Sequence, residues 1–136
     1  MAWNRDTVRL RIREAWDTLR RVPVHGIPGF RTSWPDFVQD YFEAYGHTSA
    51  RVRLAPAAPQ AIDRMNDCFG WFSFLVDRPH LTKAVWLTCG CGMGPHRAGA
   101  ILGAHRDTIR ARRDDGLDVI VDGLNRRDRE AVRRAS

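Results

Sequence analysis

Read for its apolar spacing, the chain is a succession of helices with no convincing strand. Residues 7–21 place Val8, Ile12, Ala15, Trp16 and Leu19 on one face of an amphipathic helix, with Asp6 or Thr7 as cap and Pro23 as stop. Residues 22–32 hold two prolines and two glycines and read as a loop. A second helix is expected from Ser33 as N-cap, through Pro35 and Asp36 in the first turn, to Gly46. Its stripe is Phe37, Val38, Tyr41, Phe42 and Tyr45. After a polar and Ala/Pro-rich loop over 47–58, Ile62, Met65, Phe69, Phe72 and Val76 step by three and four residues, and the Asp77-Arg78-Pro79 break follows. A short helix is expected from Pro79 to about Cys89, another over about 95–102, and a long one over about 106–124.

This pattern predicts an all-α single helical bundle of about six helices over residues 1–125. Residues 79–124 form its C-terminal helix-turn-helix unit, and 126–136 read as a basic polar tail, frayed or helical only on contact. No apolar run approaches the roughly 20 residues of a membrane span, and the N-terminus lacks a signal-peptide run. The expectation is a cytoplasmic protein of a bacterial or phage-infected cell, with reduced thiols and no membrane partner.

Charge changes the picture. The net charge is +6, and 21 of the 22 basic residues are arginine, Lys83 being the exception. Guanidinium binds phosphate and guanine edges in a planar, bidentate way, so a polyanion partner is one reading, although a GC-rich genome also favours arginine. The arginines concentrate at the two ends of the chain, and the middle is close to neutral.

Residues 95–113, PHRAGAILGAHRDTIRARR, have the spacing of a helix-turn-helix. Ala98 and Gly99 are small where a second helix would cross, and Leu102 anchors the turn. Gly103 tolerates positive φ, and Ile109 returns the next helix to the core. The outward residues His105, Arg106, Thr108, Arg110, Arg112 and Arg113 are the candidate DNA contacts. Arg106, Thr108 and Arg110 would read bases; His105, Arg112, Arg113 and the tail residues Arg126, Arg127 and Arg129 would hold phosphate. A purely structural helical hairpin fits the same spacing. Arg113 stands where an apolar residue is common, and Asp114-Asp115-Gly116 weakens the helix.

The segment from Leu81 to about Leu124 resembles the helix-turn-helix of sigma-factor region 4. The whole chain is similar to a family of small alphaproteobacterial phage and prophage proteins, through AWDTLRRVP (15–23), SWPDFVQDYFEAYG (33–46), AIDRMNDCFGWFSFL (61–75) and the C-terminal unit. That resemblance implies a role in transcription: a regulator that binds double-stranded promoter DNA, or a factor that docks on RNA polymerase, including as an antiterminator, with the basic tail on nascent RNA. Trp71 and Phe74 lie off the Ile62–Val76 face, so this helix is apolar on two sides: either it is central in the bundle, or Trp71 and Phe74 are the candidate partner surface. A structural phage component is a third reading, and oligomeric state is left open by the sequence.

Other chemistry is weighed and set lower. Cys89 and Cys91 with His96, joined by Cys68 or His80, would supply zinc ligands, but the usual knuckle has two residues between its cysteines. GCGMG (90–94) lacks both the Walker lysine and a preceding strand. The five histidines are scattered, and a Cys91–His96 nucleophile would need an activated thiol. The expectation is therefore no enzyme, no cofactor and no metal.

Overall fold

The computed structural model describes residues 2–22, 35–45 and 55–135. The expected cap Ser33, the stop Gly46 and most of both loops lie outside these residues. Among the described residues there are six helices and no strand: α1 (Arg5–Arg21), α2 (Asp36–Tyr45), α3 (Pro59–Trp71), α4 (Pro79–Val85), α5 (Pro95–Leu102) and α6 (Arg106–Ala135). The all-α reading holds. None of these helices is long and apolar enough to cross a membrane.

α1 buries the five residues its pattern selects. Its cap is Asn4 rather than Asp6 or Thr7: the Asn4 Oδ1 accepts the Thr7 N–H at 2.9 Å, and the helix starts at Arg5. Val22 closes it in an extended conformation, the one favoured before a proline.

The α3 pattern fails at its last step. The helix gives way to a 3₁₀ turn over Phe72–Leu75, which has about three residues per turn. The tighter winding turns Leu75 inward and leaves Val76 81% exposed. Cys68 and Trp71 join Met65, Phe69 and Phe72 in the core.

α4 runs into a π-helical turn over Trp86–Gly90, closed by the Cys91 N–H donating to the Trp86 carbonyl at 2.9 Å. The wider turn carries the fully buried Trp86 into the centre of the molecule. There its ring meets those of Trp16, Phe37, Phe69 and Phe72 edge to face, at centroid distances of 5.8 to 6.1 Å. Such pairs are worth about 0.5–1.5 kcal/mol each beyond burial.

α6 departs furthest from expectation. It does not end near Leu124; it continues through the supposed tail to Ala135 as one helix. Residues 126–135 hold no proline or glycine, and half of them are arginine, a good helix former, with two alanines and one glutamate besides. The N-terminal segment ties the helix to the body where this extension begins. The Trp3 N–H donates to Asn125 Oδ1 at 2.8 Å, the Asn125 amide donates back to the Trp3 carbonyl at 3.2 Å, and the Trp3 indole donates to Asp128 at 3.1 Å. Two turns earlier in α6, Asp118 accepts a fork from Arg5, the first residue of α1, at 2.6 and 2.7 Å. Gly116, which looks like a weak point in the sequence, is the crossing point of α4: a Cβ there would lie 2.5 Å from Val85 Cγ2.

Candidate nucleic-acid interface

α5 and α6 meet in a three-residue corner whose geometry follows from two glycines. Gly103 takes the left-handed conformation, φ 68° and ψ 37°, which an L side chain adopts only at a cost. The Ala104 N–H then donates back to the Gly99 carbonyl at 2.9 Å. Gly99 is the close-approach position, because a Cβ there would overlap the Ala104 carbonyl oxygen. Beneath the corner Ala84, Leu87, Met93, Ala98 and Ile109 form a small core of their own. This core explains the Gly- and Cys-rich run before α5: Met93 plugs the core while its N–H donates to the Leu87 carbonyl at 3.0 Å.

α6 begins with an unusual cap. His105 Nδ1 accepts the Asp107 N–H at 3.1 Å, so that nitrogen carries no proton in this arrangement and the ring proton sits on Nε2. The imidazole is exposed, and its Nε2–H is a donor toward solvent or a bound anion. The Asp107 carboxylate oxygen lies 3.6 Å from the same Nδ1, and this becomes an ion pair only when the ring is protonated. His96, His105 and Arg106 line an open cleft of about 530 Å³ together with the small residues of the corner.

The six expected DNA contacts do not share one surface. At about 100° per residue, Arg106, Arg110 and Arg113 form one stripe, Thr108 and Arg112 another, with the buried Ile109 between them. On the outward side the two stripes are separated by the exposed Asp107 and Ala111. Arg106, Thr108 and Arg110 are exposed, and Arg112 is half-buried. The helix turns Arg113 toward the body: its side chain is only 21% exposed and bonds Asp114 at 3.1 Å. Asp107 also faces outward at the start of α6. It holds the Arg110 guanidinium at 3.3 Å and takes part in the His105 cap. The i, i+3 spacing to Arg110 is the sequence signal of that pair. Arg126, Arg127 and Arg129 are exposed on the helical extension.

Trp71 and Phe74 form no exposed face. Trp71 is 3% exposed, with its ring 5.1 Å from that of Trp3 at near-right angles. The Phe74 ring lies against Gly123, where a Cβ would come within 2.8 Å. The second apolar side of α3 and its 3₁₀ turn is thus occupied by the N-terminal segment and α6.

The cysteines are not gathered. Cys68 and Cys89 are buried, Cys91 is half-buried, and His96 is exposed at the start of α5. Among the described residues no three His, Cys, Asp or Glu side chains converge on one point. Burial pushes the Cys91 thiol up to about 12 and raises those of Cys68 and Cys89 as well. At neutral pH these are protonated thiols rather than nucleophiles.

Residues 20–120 match the family model described as "Domain of unknown function (DUF6362)". The chain belongs to the DUF6362 family. The match runs from the end of α1 through the corner to Ile120, so the DUF6362 region contains α2–α5, the α5–α6 corner and the first half of α6. The Trp3 contacts and the extension after Asn125 lie outside it. No curated protein and no solved structure matches the chain.

Proposed function

We propose that this protein is a non-enzymatic transcription regulator that binds duplex DNA through the α5–α6 corner, in phage or prophage-derived gene control. One observation carries the reading: the exposed first turns of α6 present Arg106, Thr108 and Arg110 beside a corner of glycine and alanine that would not obstruct a phosphate backbone. The resemblance of Leu81–Leu124 to sigma region 4 and the net charge of +6 support it.

In this reading the outward edge of α6 enters the major groove. Arg106 and Arg110 lie on one flank and Thr108 on the other, where a bidentate arginine–guanine pair discriminates by about 1–3 kcal/mol. Arg112 and the His105 Nε2–H reach phosphate. Arg110 is held ready by Asp107, so less side-chain freedom is lost on binding.

The test is duplex binding followed by fluorescence anisotropy at several salt concentrations, on a site selected from a random pool. Arg110→Ala should weaken the selected site by about ten- to a hundredfold while changing non-specific binding little, and Arg112→Ala should flatten the salt slope by about one unit. Unchanged affinity and slope in both variants would rule the α5–α6 edge out.

A further inference from the structure

We propose that the cleft between α1 and the corner at Gly90–Gly92 is a phosphate-binding site, in which Arg9 and Arg13 hold a phosphate mono- or diester. The site is separate from the α5–α6 edge and stands whether or not that edge binds DNA.

The cleft encloses about 470 Å³. Arg9, Leu10 and Arg13 of α1 form one wall, and Thr88, Cys89 and Gly92 form the other. Arg9 and Arg13 are four residues apart, so they stand one above the other on the same side of α1, about 6 Å apart along its axis. Both are exposed.

The corner is shaped around Arg13. Its Nη1 donates to the Gly90 carbonyl at 3.1 Å, which fixes the guanidinium over the turn. Gly92 lies against it with φ 74°, and a Cβ there would come within 2.5 Å of that Nη1. Glycine is thus required twice, by the backbone and by the guanidinium. The bond to Gly90 uses one of the five N–H donors of the group, and the rest of the planar fork is left preorganised.

The charge at this cleft is not balanced within the protein. Arg5, Arg21, Arg64, Arg110 and Arg113 each pair with a carboxylate. Among the described residues no carboxylate lies within ion-pair distance of Arg9 or Arg13, and Asp6, which lines the same cleft, reaches neither. Like charges at this spacing on a helix repel each other. Arg97 of α5 adds a third positive charge: it and Arg13 both act on the Cys91 thiol, while Arg9 acts on that of Cys89. The thiols do not offset these charges, because burial raises both and leaves them protonated at neutral pH.

A phosphate group suits this arrangement better than a carboxylate. Its tetrahedral oxygens reach two guanidiniums at once, whereas a planar carboxylate is filled by a single fork. The remaining room takes the group that carries the phosphate, and Leu10, 71% exposed, gives that group an apolar shelf. Two sources carry this chemistry: the backbone of a nucleic acid and a free phosphorylated metabolite.

The experiment follows the arginine side-chain Nε–H signals of the isotope-labelled full chain during titration at constant ionic strength. The probes are inorganic phosphate, adenosine monophosphate and a random-sequence duplex of 16 base pairs, with acetate as the control anion. Phosphate and adenosine monophosphate should move the Arg9 and Arg13 signals along saturating curves, and acetate should leave them in place. Arg9→Gln should weaken phosphate binding by about tenfold or more without changing the circular dichroism of the chain. Arg9 is the informative position, because Arg13 also braces the corner and its loss can unfold it.

A duplex that moves the same two signals identifies the backbone as the source. A duplex that leaves them in place while adenosine monophosphate binds identifies a free phosphorylated molecule. An equal response to acetate, shifts spread evenly over all the arginines, binding of inorganic phosphate alone, or unchanged affinity in Arg9→Gln overturns the site. Shifts at Arg106 and Arg110 on adding duplex, with Arg9 and Arg13 silent toward all three probes, overturn it while leaving the α5–α6 reading intact.

Discussion

Replacing Gly116 with alanine tests the packing on which the corner depends, because two effects of opposite sign meet there. Alanine in a helix interior is favoured over glycine by about 0.5–1 kcal/mol through lost backbone entropy in the unfolded chain. The new methyl, however, would lie 2.5 Å from Val85 Cγ2 and 3.5 Å from Leu81 Cβ. Val85 is fully buried, and its β-branched side chain has one favoured rotamer in a helix, so α4 itself must move. Overpacking of this kind costs about 1–3 kcal/mol, and the net expectation is a loss of about 1–2 kcal/mol.

Gly70 is the control. It is exposed, near the end of α3, and a Cβ there meets nothing within 4 Å. Gly70→Ala should stabilise by about 0.5 kcal/mol. In a thermal melt followed by circular dichroism, at about 3–4 °C per kcal/mol for a chain of this size, Gly116→Ala should lower Tm by about 3–8 °C and Gly70→Ala should raise it by about 2 °C. If both substitutions raise Tm alike, α4 does not cross α6 at Gly116.

Three further outcomes follow from the same geometry. Gly99→Ala should cost more than about 2 kcal/mol in a denaturant titration, because its methyl meets a backbone oxygen that cannot move without opening the corner. The Arg5 fork lowers the Asp118 carboxyl below the ordinary aspartate range, so its stabilisation is present at neutral pH and lost as pH falls through that lowered value. The Tm difference between the natural chain and Asp118→Asn should accordingly shrink toward zero below about pH 4. With the Cys91 thiol at about 12, native labelling by a disulfide reagent at pH 8 should run about a thousandfold slower than for a free thiol, and rapid stoichiometric labelling would contradict its burial.

Much of the fold is legible in the sequence because single-face periodicity and turn chemistry agree over α1, α5 and the start of α6. Gly103 and Ile109 behave as their spacing predicts, and Pro95 opens its helix. Features set by distant partners are not legible. Trp71, off the main face of α3, reads from the sequence as either core or docking residue; only the folded chain brings Trp3, 68 positions away in sequence, across it. Gly116 looks like a weak point until α4 is seen lodged against it. The switch from 3.6 residues per turn to a 3₁₀ turn after Trp71 leaves no local mark that period analysis would catch, so Val76 is assigned to the wrong side.

For the candidate site, the identity of the basic residues is readable but their grouping is not. A cluster of four arginines in eight residues, 106–113, reads as one patch; the helix divides it about Ile109, turns Arg113 inward and ties Arg110 to Asp107. The extension was obscured for a simpler reason. Charged ends with no apolar periodicity look like tails, whereas here good intrinsic propensity and the Trp3–Asn125 tie carry α6 through to Ala135.

The most direct test of nucleic-acid binding through α6 is backbone chemical-shift mapping of the isotope-labelled full chain on addition of a 16-base-pair duplex. The account predicts perturbations concentrated at residues 96–112. Perturbations confined to α1 and α3, or none at saturating duplex, would contradict it.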